Sequence, residues 1–154
     1  MPRIYIDPHM FSDAWFKEIL KELLGCTSVT FSYAASNKIT GEISKVRQAL
    51  AFYKMVGGLK VGSKSRRDDA DSQEIEKHQR MLENLRCYSD CSDCDDAHIF
   101  ALVYLKPTPY IFSKDHRMAK CRDKINKHID KRYCNFIIIS DKNVYGKHRR
   151  VIIA

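Results

Sequence analysis

Two hydrophobic periods alternate along this chain: short apolar runs, and longer stretches in which apolar residues recur every three or four positions. The first run, Arg3-Ile-Tyr-Ile6, is β-prone and stops at an acid, Asp7. From Ser12 to Leu24 the residues Trp15, Phe16, Ile19, Leu20 and Leu23 share one face of a helix that Ser12 can cap and Gly25 ends. Thr27 to Tyr33 has the β-branched and aromatic content of a second strand. A helix follows from Thr40 to Met55, with Ile43, Val46, Leu50 and Tyr53 on one side, and Gly57-Gly58 breaks it. Gly62 to Asp71 is nearly devoid of apolar residues and predicts an exposed connection or the polar start of a helix. Lys64, Arg66 and Arg67 in that segment could offer substrate contacts, although a solvated linker accounts for them better. Ser72 to Cys87 reads as a helix with Ile75, Met81, Leu82 and Leu85 toward the core. Asp96 heads an apolar helix, Ala97 to Leu105, and the turn Lys106-Pro-Thr-Pro109 leads into the strand Tyr110 to Ser113, with Asp115 just beyond. Asn135 to Ser140 has the composition of a strand buried on both faces, and Val151 to Ile153 that of an edge strand.

Apolar strands alternating with amphipathic helices predict an α/β fold, a three-layer αβα arrangement around a mainly parallel sheet. The 154 residues suit one domain spanning the whole chain, with no internal repeat and no second core. Parallel sheets place function in the crevice outside the carboxyl ends of their strands. Asp7, Asp96 and Asp115 are therefore expected at one end of the sheet. Clustered carboxylates repel one another unless a cation sits among them, and hard oxygen donors suit Mg²⁺ or Mn²⁺. Each acid also has an ordinary role: Asp96 as a helix cap, Asp7 and Asp115 as turn residues, Glu42 as a charge favouring a helix dipole.

Composition narrows the classes. With 44% hydrophobic and 30% charged residues the chain has the make-up of a globular domain. It has neither an apolar segment of membrane-spanning length nor the start of a signal peptide, so a cytoplasmic location is expected. The net charge of +8 is concentrated: residues 114 to 154 hold 12 Lys or Arg against 4 acids, and the rest balances. Arg117, Lys120, Lys124, Lys127 and Lys131 recur at helical spacing beside the apolar face of Met118, Cys121, Ile125 and Ile129. With Lys114 they form a candidate phosphate-binding face next to the acids, as a polyanionic substrate would require, and a solvated charged face is the alternative. Of the six cysteines, Cys87, Cys91 and Cys94 form C-x3-C-x2-C. Without a secretion signal, thiols or ligands are expected before disulfides. Zinc held by these three with Cys121 or His98 lacks the paired half-motifs of structural zinc sites. An iron–sulfur cluster lacks its accompanying glycine-rich segment.

In order along the chain stand Ile4-Tyr-Ile-Asp7, then Glu42, then Asp96-Ala-His-Ile99-Phe-Ala101, then Ile111-Phe-Ser113-Lys-Asp115. These motifs resemble those of the PIN-domain nucleases, whose pattern is an Asp closing the first strand, a Glu in a following helix, a D-x-x-I-x-A helix start, and an Asp after a strand ending in Thr or Ser. Pro8-His9 stands here where that family commonly has a small polar pair. The resemblance covers most of the chain. It implies Asp7, Glu42, Asp96 and Asp115 as catalytic, metal-binding acids, with Asp95 as an additional candidate and Ser113 in support. It further implies one or two Mg²⁺ or Mn²⁺ ions, hydrolysis of RNA phosphodiester bonds, and contact with RNA through Lys114, Arg117, Lys120, Lys124 and Lys127. Small toxins of the VapC type belong to this family, so an antitoxin partner and a homodimer are implied as well. A PIN-like module that binds nucleic acid or protein without catalysis is the alternative.

Overall fold

The structure is a computed structural model that describes Pro2 to Ala154, the side chain of Asn37 excepted. Seven strands and eight α-helices follow one another as β1 (Arg3–Ile6), α1 (Ala14–Gly25), β2 (Thr30–Ala34), α2 (Asn37–Ser44), α3 (Arg47–Gly58), β3 (Lys60–Val61), β4 (Lys64–Ser65), β5 (Arg67–Ala70), α4 (Ser72–Glu83), α5 (Arg86–Ser89), α6 (Ala97–Leu105), β6 (Tyr110–Phe112), α7 (His116–Ile125), β7 (Ile137–Ile139) and α8 (Lys142–Ile152). Five strands form a parallel sheet in the order β5-β2-β1-β6-β7, flanked by helices in the expected three-layer αβα fold.

The central strands explain themselves. Ile4, Tyr5, Ile6, Tyr110, Ile111 and Phe112 are all buried, as strands covered on both faces must be, and Ile4, Tyr5 and Ile6 pair with Tyr110, Ile111 and Phe112. From β1 the chain steps outward through β2 to β5, then crosses back to β6 and β7 on the other side. The order therefore reverses between β1 and β6, which opens a crevice at their carboxyl ends. Asp7 follows β1 and Asp115 follows β6, so the acids flank that reversal.

Several sequence expectations are corrected. The polar segment Gly62 to Asp71 is neither a linker nor a helix start: it contains β4, paired antiparallel with β3, and β5, an edge strand on β2. Its charges are satisfied locally. Asp68 takes Arg3 at 2.6 Å and Lys106 at 3.0 Å, and the buried Arg66 donates to the carbonyls of Leu23, Leu24, Cys26 and Val29. The helix expected over Thr40 to Met55 is two helices, because Val46 adopts an extended backbone (φ −118°, ψ 109°) between α2 and α3. Ser12 lies in a 3₁₀ turn, and Asp13 precedes α1 instead. Met81 and Leu85 are exposed, since the helix ends at Glu83 and its buried side is Ile75 and Leu82. The strand in Asn135 to Ser140 lies at the sheet edge and leaves Ile137 exposed, so it is not covered on both faces. Val151 to Ile153 closes α8, whose start Asp141 caps by accepting from the Val144 N–H. Cys94 and Cys121 form a disulfide across 27 residues, a pairing local sequence cannot reveal. Their sulfurs are thus taken from any cluster with Cys87 and Cys91.

Candidate metal centre

Asp7 is positioned by the ends of two strands. Its N–H donates to the Phe112 carbonyl at 2.9 Å, and one residue earlier the Tyr53 hydroxyl accepts from the Ile6 N–H and donates to the Ile6 carbonyl, both at 3.1 Å. Pro8 favours an extended backbone at the residue before it, and Asp7 has φ −62°, ψ 132°. Its carboxylate caps no helix. Oδ2 accepts from Ser113 Oγ at 3.0 Å, and Oδ1 lies 3.0 Å from His9 Nδ1. That contact with Asp7 holds the His9 imidazole above its ordinary pKa, against the opposing effect of burial.

Ser113 is fully buried, and its hydroxyl does two things. It donates to Asp7 and accepts the Asp115 N–H at 3.0 Å, so one oxygen ties the two strand-end acids together. Asp115 also caps α7, accepting the Arg117 N–H at 2.9 Å through Oδ1. The ordinary role this acid has is thus a helix cap, where the sequence suggested a turn residue, alongside its place in the cleft.

Asp96 behaves differently. It occupies the cap position of α6 but makes no capping hydrogen bond, and among the described residues its Oδ2 is buried without a partner. Burial first, then the nearby Asp95 and Asp115 carboxyls, push its pKa up to about 8. Glu42 stands in the second turn of α2, where the dipole argument has little force. Its Oε2 lies 3.0 Å from Nε2 of His98, a side chain only 1% exposed in the first turn of α6. Burial alone would raise the Glu42 carboxyl, but the His98 hydrogen bond prevails, with Lys38 and Lys45 adding to it, and holds the group below the usual range.

The four sequence-predicted acids meet. Asp7, Glu42, Asp96 and Asp115 line one open cleft of about 320 Å³, with His9 and Lys45 also on its wall. Ligand atoms of Glu42, Asp96 and His98 lie within 4.8 Å of one another, and so do those of Asp95, Asp96 and Asp115. Asp96 is thus the shared vertex of two groups that can hold a divalent cation. An orphaned, buried carboxylate oxygen among other hard donors fits Mg²⁺ or Mn²⁺. A larger cavity, about 500 Å³, opens at the opposite end of the sheet. Most of its cations are already engaged: Arg3 and Lys106 on Asp68, Arg67 on Asp69, and Arg66 on backbone carbonyls.

The basic face is less open than its spacing implies. Lys114 pairs with Asp13 at 2.8 Å, Lys124 with Asp93 at 3.0 Å, and Arg117 with Asp95 at 3.2 Å and the Ser92 carbonyl at 2.6 Å. Together with the Cys94–Cys121 disulfide, the Arg117 and Lys124 contacts strap the loop before Asp96 onto α7. Lys120 and Lys127 are exposed and make no ion pair among the described residues, and α7 ends before Lys127. Complementary charge between the acids at 93 to 96 and the downstream basic stripe was a visible signal of this strap. Nothing in the spacing pairs His98 with Glu42, 56 residues away, nor Tyr53 with β1.

No protein-family model, curated protein or solved structure matches this chain.

Proposed function

We propose that this protein is a metal-dependent endoribonuclease of the PIN type, hydrolysing RNA phosphodiester bonds with one or two Mg²⁺ or Mn²⁺ ions. The observation that carries the reading is the convergence of Asp7, Glu42, Asp96 and Asp115, from four separate segments, on one cleft at the carboxyl ends of β1 and β6. Their order and placement agree with the resemblance to PIN-domain nucleases, and Asp96 Oδ2 is buried without a hydrogen-bond partner among the described residues. When bound, such ions polarise a phosphoryl oxygen and lower the pKa of a water that attacks in line.

The chain's own residues supply the rest. Ser113 fixes Asp7 and Asp115 relative to each other, so two donors are preorganised by one hydroxyl. His98 orients Glu42. Lys45, on the cleft wall, offers an ammonium to a phosphate oxygen, and the unpaired Lys120 and Lys127 offer contacts to flanking phosphates. Lys114, Arg117 and Lys124 reach a backbone only by leaving Asp13, Asp95 and Asp93. An antitoxin protein and a homodimer are the partners the family resemblance adds.

The test is a mixed RNA pool incubated with Mg²⁺, with Mn²⁺ and with chelator, beside Asp96→Asn and Asp115→Asn. Cleavage by the wild type that requires the cation and is lost in both variants is the expected result. Retained RNA binding without any cleavage would favour the non-catalytic module. Equal cleavage by the double variant would overturn the assignment of the acids.

A further inference from the structure

Six histidines occur in the chain, and among the described residues His98 alone is fully buried. It sits in the first turn of α6, where the next five residues, Ile99 to Val103, are buried and apolar. A polar ring in such a helix must be satisfied by something specific, since an unpaired buried polar group costs about 1–3 kcal/mol. What satisfies it is not the core but the cleft. Nε2 points at Glu42 Oε2 at 3.0 Å, and one ligand atom each of His98, Glu42 and Asp96 lie within 4.8 Å of one another. Asp96 also carries Oδ2, buried and without a partner among the described residues.

Resting on the metal-cleft reading above, we propose that His98 is itself a ligand: Nε2, with the carboxylates of Glu42 and Asp96, forms a mixed nitrogen–oxygen position that takes Mn²⁺ in preference to Mg²⁺. Two adjacent ligands of an octahedral ion, each about 2.1 Å from it, stand roughly 3.0 Å from each other. The His98–Glu42 separation already has that value, so both atoms can bind one cation that sits to the side of the line between them once the imidazole turns to aim its Nε2 lone pair at the ion instead of at Oε2. A neutral imidazole then keeps its single proton on Nδ1 and presents a free lone pair at Nε2. Mg²⁺ favours oxygen and sheds water reluctantly, whereas imidazole nitrogen suits first-row transition cations better. The second group, Asp95, Asp96 and Asp115, is all oxygen and carries no such preference. His98 thus sets metal choice at one of two positions that share Asp96.

The experiment uses Mn²⁺ alone, followed by electron paramagnetic resonance, on the intact protein without RNA. A nitrogen coupling in the spin-echo modulation of bound Mn²⁺ is expected, and it should change when the protein is grown with ¹⁵N-histidine. His98→Gln keeps an N–H donor toward Glu42 but removes the ring nitrogen. It should abolish the coupling and weaken Mn²⁺ by about tenfold or more, with Mg²⁺ changed much less. His9→Gln should retain the coupling. Bound Mn²⁺ without nitrogen coupling in the wild type, or no Mn²⁺ binding at all, overturns the proposal without any variant. Unchanged Mn²⁺ affinity in His98→Gln would leave His98 as a mere hydrogen-bond partner of Glu42 and overturn it equally. RNA cleavage without nitrogen coupling sinks the His98 assignment and spares the nuclease, and coupling without cleavage does the reverse.

Discussion

Asp96→Asn should make the protein more stable, not less, once pH is high and cations are removed. In the fold the Asp96 carboxyl holds its proton up to about pH 8, while in the unfolded chain it ionises near the ordinary 3.8. Between roughly pH 4 and pH 8 unfolding therefore releases a proton, and the folded state loses stability as pH rises through that window. Above pH 8 the loss is complete and constant. At about 1.4 kcal/mol for each pH unit, the full displacement corresponds to roughly 5–6 kcal/mol. Asp95 is half-exposed and paired with Arg117, and the cleft is open to water, so screening reduces the expected effect to about 2–3 kcal/mol. For a domain of this size that is about 5–10 °C in melting temperature. The assay is a thermal melt of wild type and variant in chelator at pH 3, 7 and 9. The two should melt together at pH 3, where the carboxyl is neutral in both the folded and the unfolded chain, and separate by pH 9 with the variant higher. Adding Mn²⁺ should reverse the order, because binding at a thousand times Kd stabilises by about 4.1 kcal/mol, more than the deficit, only where the ligand set is intact. A variant less stable than wild type at pH 9 in chelator would refute the reasoning, since that is the signature of a lost helix cap, at about 1 kcal/mol.

Two further outcomes follow from neighbouring contacts. Ser113→Ala removes the donor to Asp7 and the acceptor for the Asp115 N–H, and should cost about 1–3 kcal/mol in denaturant melts. It should also weaken Mn²⁺ by about tenfold, as the loss of a group that orients ligands does; unaltered Mn²⁺ affinity would show that the acids hold their places without it. Reducing the Cys94–Cys121 bond frees a loop of 27 residues and should lower stability by about 3–4 kcal/mol, read as a fall in melting temperature with dithiothreitol that Cys94→Ser reproduces and no longer shows. A shift below about 1 kcal/mol would mean that the salt bridges of Arg117 and Lys124 already hold the strap closed.

How much of this was legible in the sequence depends on where each residue finds its partner. β1, α6 and β6 could be read almost residue by residue, because their apolar runs are unbroken and end at charged or turn-forming positions. Arg67-Asp-Asp-Ala70 could not be read as a strand, because Arg67 and Asp69 pair with each other while Asp68 is satisfied by Arg3 and Lys106, which lie far off in sequence. The break between α2 and α3 falls at a Val that fits the helical period yet turns extended. Periodicity marks which face is apolar, not where the backbone leaves the helix. The site divides the same way. Three of the four acids were visible because Asp7, Asp96 and Asp115 each follow or precede an element, whereas Glu42 lies inside α2, and the His98–Glu42 pair and the Ser113 bridge are contacts between elements.

Capping is the test that separates an ordinary helix-end acid from one available to a cation. Asp115 and Asp96 hold the same formal position, each directly before a helix. Asp115 spends Oδ1 on the Arg117 N–H, and its negative charge is met by the positive end of its own helix. Asp96 turns away from α6, leaves an oxygen buried and unpaired among the described residues, and crowds two other carboxyls. Nothing in the helix rewards that arrangement, and a compact α/β domain has no other need for it. Because the chain leaves the paired strands β1 and β6 toward opposite sides of the sheet, the space beside Asp96 is open where Asp7 and Asp115 emerge. The carboxylate that fails to cap is therefore the one that either keeps its proton or would be neutralised by the proposed cation.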